Sequence, residues 1–153
     1  MTANSDRESV ERMISAPPAA IFALLADASR HRDIDGSGTV RHAKGAPEPL
    51  SLGSTFGMSM RIGLPYSTTN TVVEFEPDRR IAWQTRAPGL LSKLIGGRIW
   101  RYELEPAEGG TLVRETWDIS QEHNKRVAEP MRSKNIAGMT KTLERIESLV
   151  AAG

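Results

Sequence analysis

The spacing of apolar residues changes twice along this chain, dividing it into three parts. In the first, residues 8–14 set Val10 and, after a phase slip, Met13 and Ile14 among charges, which predicts a short strand. Pro17 and Pro18 follow, with Ser15 or Ala16 where a helix cap belongs. Proline suits a first helical turn because its missing N–H has no intrahelical partner there. Ile21, Phe22, Leu24 and Leu25 give that short helix one apolar side, ending near Asp27. The polar stretch SRHRDID predicts a further helical turn, stopped by Gly36 and Gly38.

From about residue 38 to 119 the period becomes that of strands. Thr39 to Ala43 is a short one, followed by the proline-punctuated loop APEPL. GSTFGMSMRIG alternates Phe56, Met58, Met60 and Ile62 with Thr55, Gly57, Ser59 and Arg61. YSTTNTVVEFEP places Thr69, Thr71, Val73 and Phe75 on one face. RIAWQT joins Ile81 to Trp83, RIWRYELEP aligns Trp100, Tyr102 and Leu104, and TLVRETWDI aligns Val113, Glu115, Trp117 and Ile119. Hairpin-length connections such as PDRR and AEGG predict an antiparallel sheet, and the alternation predicts one face toward a core and one toward water. The third part, about Ala128 to Val150, repeats Met131, Asn135, Ile136, Met139, Leu143, Ile146 and Val150 at helical spacing, with Pro130 at a first turn or kink. The order strand, short helices, six strands, long helix predicts an α+β domain in which a curved sheet wraps an amphipathic helix. A sheet cannot close fully around a straight rod, which leaves room for a cavity between them. Residues 1–7 are expected to be frayed and residues 8–151 to form a single domain.

Composition narrows the possible chemistry. The 153 residues include 20 Lys and Arg against 19 Asp and Glu, a formal charge of +1 that argues against a nucleic-acid partner. There is no cysteine, so disulfides, thiolate metal sites and a cysteine nucleophile are excluded. His31, His42 and His123 lack metal-pair spacing, and His31, Asp33 and Asp35 are expected in a solvated capping turn; no metal and no cofactor is expected. There is no GxSxG, and the paired glycines are turn glycines without a phosphate-loop lysine. No apolar run reaches the roughly 18 residues of a membrane span, and the start lacks a secretory signal. The expectation is a cytoplasmic monomer or homodimer without stable membrane association.

The inward strand face should carry Phe56, Met58, Met60, Val73, Phe75, Trp83, Trp100, Tyr102, Val113 and Trp117. This set reads either as plain core or as a deformable apolar pocket, since methionine adapts to irregular shapes and indole adds area with one donor. Glu115 shares that face by strict alternation. Burial without a partner would raise its pKa and make it an acid, a base or a polar anchor; an ion pair across the sheet, or a bulge turning it outward, is the other reading. The Tyr102 hydroxyl and the Asn135 amide, with Met139 on the same helix face, are candidate ligand contacts. In GLLSKLIGG, Leu90, Leu91, Leu94 and Ile95 form either a lid or a cover over one end of the core.

Together, ISAPPAAIFALLAD, SRHRDIDGSG, GSTFGMSM, VVEFEPDRRIAW, RIWRYELEPAEGGTLVRETWD and GMTKTLERI resemble the START-like helix-grip (SRPBCC) superfamily, and within it the polyketide cyclase/dehydrase group. The resemblance implies seven strands around the long C-terminal helix, two short helices after the first strand, and a ligand cavity gated by loops such as residues 86–98. It does not settle function, because members include carriers, receptors, cyclases and co-chaperones. The expected function is binding of a small, largely apolar molecule such as a lipid, polyketide or aromatic metabolite, in a pocket of about 300–1,000 Å³. One alternative is a cyclase/dehydratase-type enzyme with Glu115 as acid/base and Tyr102 as oxygen stabiliser. Another is a co-chaperone-like interaction domain, which needs an exposed apolar patch; exterior positions such as Thr55, Ser59, Arg61, Glu74, Glu76, Gln84, Arg101 and Glu103 are too polar for one.

Overall fold

The computed structural model describes residues 6–35, 40–44, 49–62, 64–87 and 96–152. The alternating segments become β1 (Arg7–Ile14), β2 (Val40–Lys44), β3 (Thr55–Ile62), β4 (Leu64–Glu76), β5 (Arg80–Arg86), β6 (Gly96–Ala107) and β7 (Gly110–Asp118). They form one antiparallel sheet in the order β1-β7-β6-β5-β4-β3-β2. Consecutive strands from β2 to β7 are neighbours because short turns join many of them; Asp78 and Gly109, both with positive φ, sit in two of these turns. β1 alone is displaced, pairing with β7 at the far edge. The chain therefore crosses from one sheet edge to the other between β1 and β2. It does so through α1 (Pro18–Leu25), a 3-10 turn (Ala28–Arg30) and α2 (His31–Ile34).

After β7 come α3 (Lys125–Ala128), a 3-10 turn (Glu129–Met131) and α4 (Arg132–Ala152). The long helix thus starts four residues later than the apolar spacing predicts, with Pro130, which has no N–H to donate, in the tighter turn before it. The first helix also differs from expectation: Pro17, not Ser15 or Ala16, is its N-cap, with no side-chain cap. Ala16 is buried instead, and its carbonyl accepts a 2.8 Å bond from the Thr111 hydroxyl.

Met139, Leu143 and Ile146, spaced on one side of α4, are buried against the sheet, as are Ile21, Phe22 and Leu25 of α1. Each large side chain removed from water contributes about 1.5–3 kcal/mol. Two ion pairs tie α4 to the edge strand: Arg12 with Glu147 at 2.9 Å and Arg132 with Glu8 at 2.7 Å. The opposite sheet face is a lattice of charge. Arg101 binds Glu74 at 2.7 Å and Asp118 at 3.4 Å, and Asp118 also meets Arg7 at 3.0 Å.

One expected orientation and one expected exposure differ. Val73 does not face inward. The β4–β5 register steps from Val72 opposite Trp83 to Glu74 opposite Ala82, leaving Val73 as an extra, bulged residue. Val72 is 1% exposed and Val73 37%. The bulge also turns Phe75 back toward the core. Gln84, expected outside, is buried because its amide donates to the Gly97 carbonyl at 3.0 Å. Denaturant unfolding should separate the two valines: Val72→Ala should cost about 2 kcal/mol, whereas Val73→Ala should stay within about 0.5 kcal/mol. Equal losses would remove the bulge assignment.

Candidate ligand-binding site

Register aligns the inward side chains into rows across the sheet. One row runs Val10, Glu115, Tyr102, Ile81, Phe75 from β1 through β7, β6 and β5 to β4. The next runs Glu8, Trp117, Trp100, Trp83, Val72. All three tryptophans of the protein therefore stand side by side on adjacent strands, one position along from the Glu115–Tyr102 pair.

Aromatic contacts extend this layer. Trp83 lies 5.5 Å from Tyr102 and 6.0 Å from Phe56, centroid to centroid. His31, from the short helix α2, stacks on Trp83 at 4.6 Å. This histidine was expected in a solvated turn and is instead buried. The signal for it was present: Ala28, His31 and Ile34, spaced by three, share one side of the helical turns, and all are buried. Its Nε2 lies 2.8 Å from the Leu25 carbonyl, which can only accept, so Nε2 carries the proton. Burial holds the His31 pKa below its ordinary value, which keeps the ring neutral.

Glu115 is 2% exposed and makes no ion pair among the described residues, where an ion pair was the main alternative reading. Desolvation pushes its pKa up to about 8; the Tyr102 hydroxyl, donating to the carboxyl, opposes the rise, and the like charge of Asp35 adds to it. Tyr102 is pushed well above the usual phenol range, first by burial and then by Glu115. At neutral pH most Glu115 is therefore a neutral acid able to donate as well as accept. Among the described residues four buried side-chain polar atoms have no hydrogen-bond partner: Glu115 Oε1 and Trp117 Nε1 on β7, Asn135 Nδ2 on α4 and Arg12 Nε on β1. Buried polar groups are satisfied almost everywhere in folded proteins, so such a set on one interior layer points to something that completes it.

Of the other predicted lining residues, Phe56, Met58, Val113, Trp117 and Met139 are buried, and Phe75 and Trp100 are partly buried against the same clusters. Val73 is excluded by the bulge. Met60 lies in β3, but its side chain is outside the described residues, as are Leu90, Leu91, Leu94 and Ile95. A groove of about 200 Å³ at the rim of the charged face is lined by groups that already pair, among them Arg80 with Glu103 and Arg114 with Glu11. No group of three metal-ligating side chains occurs among the described residues, and no described helix is long and apolar enough to cross a membrane.

The family model for polyketide cyclase/dehydrase and lipid transport matches residues 7–151. The chain belongs to this family. Among relatives, protein Rv0088 of Mycobacterium tuberculosis is 40% identical over 107 residues, which is 69% of this chain and 44% of that protein. The match thus spans less than half the length of that curated relative. Among solved structures, CV1439 of Chromobacterium violaceum aligns with a TM-score of 0.72 at 17% identity, covering 95% of this chain and 96% of that one. The polyketide-cyclase-like Cgl2372 of Corynebacterium glutamicum gives 0.61 at 21% identity, covering 98% and 94%. The di-domain aromatase/cyclase StfQ of the steffimycin pathway gives 0.69 at 12%, covering 95% of this chain and 50% of that one. These likenesses establish the α+β fold of antiparallel sheet and long C-terminal helix for this polyketide cyclase/dehydrase family member.

Glu115 makes a pH prediction of definite sign. Its carboxyl is protonated, folded or unfolded, below the ordinary value of 4.5, so it then costs nothing. Between 4.5 and about 8 only the unfolded chain ionises freely, and stability falls as pH rises. Glu115→Gln removes that slope. Thermal melts from about pH 5 to about pH 9 should show the variant gaining on the wild type by several degrees. Parallel curves would place Glu115 in water.

Proposed function

We propose that the protein binds a small, largely apolar molecule, such as a lipid, polyketide or aromatic metabolite, between the inner sheet face and α4. One observation carries this reading: among the described residues, Glu115 Oε1, Trp117 Nε1 and Asn135 Nδ2 are buried without hydrogen-bond partners on β7 and α4. The aromatic row would supply contact area, and these few polar atoms would fix orientation, the usual division of labour in a ligand pocket. The family's description, which joins cyclases with lipid transport, supports the same class of cargo.

A second reading is favoured by the Glu115–Tyr102 pair. A carboxyl poised at about 8 beside a phenol is suited to moving a proton within a bound keto chain, as a cyclase or dehydratase must. In that case Glu115 is the acid/base and Tyr102 steadies an oxygen. The co-chaperone reading has less behind it, since Arg101, Glu74, Asp118 and Arg7 cover the outer face with paired charge.

Native mass spectrometry of gently prepared protein, followed by solvent extraction, tests both. A stoichiometric apolar adduct supports binding. An adduct that changes mass on incubation with wild type but persists with Glu115→Gln supports catalysis. If mild preparations carry no adduct and added apolar molecules neither bind nor shift Tm, the pocket reading is lost.

A further inference from the structure

The apolar lining of the proposed site conceals a bias in charge. Glu115 places a carboxyl oxygen without a partner among Tyr102, Trp100 and Trp117 on neighbouring positions of β6 and β7. From the end of α2, Asp35 acts on both Glu115 and Tyr102 with the sign of a second carboxylate. Several cations of the surrounding described elements are engaged elsewhere. On β1, Arg12 pairs with Glu147 of α4 through Nη2, while its buried Nε has no hydrogen-bond partner. At the start of α4, Arg132 pairs with Glu8 and Glu129, and the Arg145 guanidinium donates to the Asp35 carbonyl. His31 is neutral and spends its Nε2 proton on Leu25. Among the described residues, what acts on Glu115 is burial, the Tyr102 hydroxyl and Asp35, none of them a cation.

We infer that the ligand carries a cationic nitrogen, an amine or quaternary ammonium on an apolar body, seated against Glu115 and the rings of Tyr102 and Trp100. The inference rests on the binding function proposed above and specifies its cargo. A buried carboxyl without a counter-charge is stabilised most by a cation, and aromatic faces attract cations through the negative charge of their π-clouds. The protein uses the same contact at the edge of this layer, where the Arg132 guanidinium lies 5.4 Å from the Trp117 ring centre. An anionic head group would gain nothing from Glu115 once that carboxyl ionises, and would then meet a charge of its own sign.

Three probes of one chain length separate the possibilities: dodecyltrimethylammonium, dodecanol and dodecanoate, each below its micelle concentration, followed by tryptophan fluorescence and calorimetry. The wild type should bind the ammonium about tenfold tighter than the alcohol, with the carboxylate weakest. The quaternary nitrogen keeps its charge at every pH, so its affinity should rise from about pH 6 to about pH 9 as Glu115 ionises. Glu115→Gln should bring ammonium and alcohol within about twofold of each other and abolish that rise. If the alcohol binds and the ammonium gains nothing over it, or if dodecanoate binds tightest, the cationic cargo is overturned and the pocket stands. If none of the three binds, both are overturned. The comparison within wild type decides the matter even if the variant folds poorly.

Discussion

The inner face of this protein depends on the pairing of β6 with β7 in the register that sets Tyr102 opposite Glu115 and Trp100 opposite Trp117. A slip of one residue would exchange every inward side chain for an outward one, moving Arg101, Glu103, Arg114 and Thr116 into the core. That alternative is costly on both sides of the sheet. Arg101 would lose its bonds to Glu74 and Asp118, and the tryptophans would stand in water. The charged lattice on the outer face therefore has a role beyond the small stability of surface ion pairs: it makes only one register good. Arg101 is the centre of that lattice because it reaches from β6 to strands on both sides, Glu74 of β4 and Asp118 of β7.

The same logic extends to the helices. α4 lays an apolar stripe on a sheet whose inner row includes a carboxyl, and the two ion pairs to β1 hold that stripe in place from its ends. Neither strap uses the inner polar groups, so Glu115 and Asn135 keep unpartnered atoms. Polar groups left in this way reduce stability, by about 1–3 kcal/mol each where nothing else meets them. Their presence on facing elements, beside pairs as complete as Arg132 with Glu8 and Glu129, marks the layer as shaped for binding rather than for stability alone.

Much of this was readable from the chain. Strict alternation in RIWRYELEP and TLVRETWDI places Trp100, Tyr102, Glu115 and Trp117 on one face, and the helical spacing of Met139, Leu143 and Ile146 gives the packed side of α4. Alternation fails where a strand has an extra residue. Val72 and Val73 are chemically the same, so nothing local states which one the core takes; pairing with Trp83 and Ala82 across the bulge decides it. Gln84 fails differently. Its amide is buried because the Gly97 carbonyl and the Gln121 side chain, distant in sequence, arrive to meet it. His31 fails in a third way: the charges of Arg30 and Asp33 around it favour a solvated turn, but its spacing to Ala28 and Ile34 puts it on the buried side, where Trp83 meets it. In each case a long-range partner outweighed a local pattern.

Glu115 and His31 show how one cause acts on two chemistries. Desolvation disfavours charge, so it raises the acid and lowers the base. The stability that depends on a neutral His31 is complete above its ordinary value of 6.5 and is lost as pH falls through its lowered one. Stability that depends on a protonated Glu115 is complete below 4.5 and is lost as pH rises through about 8. The aromatic layer is thus mostly uncharged over an interval bounded on the acid side by His31 and on the alkaline side by Glu115. Within that interval His31 can stack on Trp83 as one flat ring on another, and α4 can close over a face that carries polarity without charge. A group that enters and ionises Glu115 has to supply the compensating charge itself.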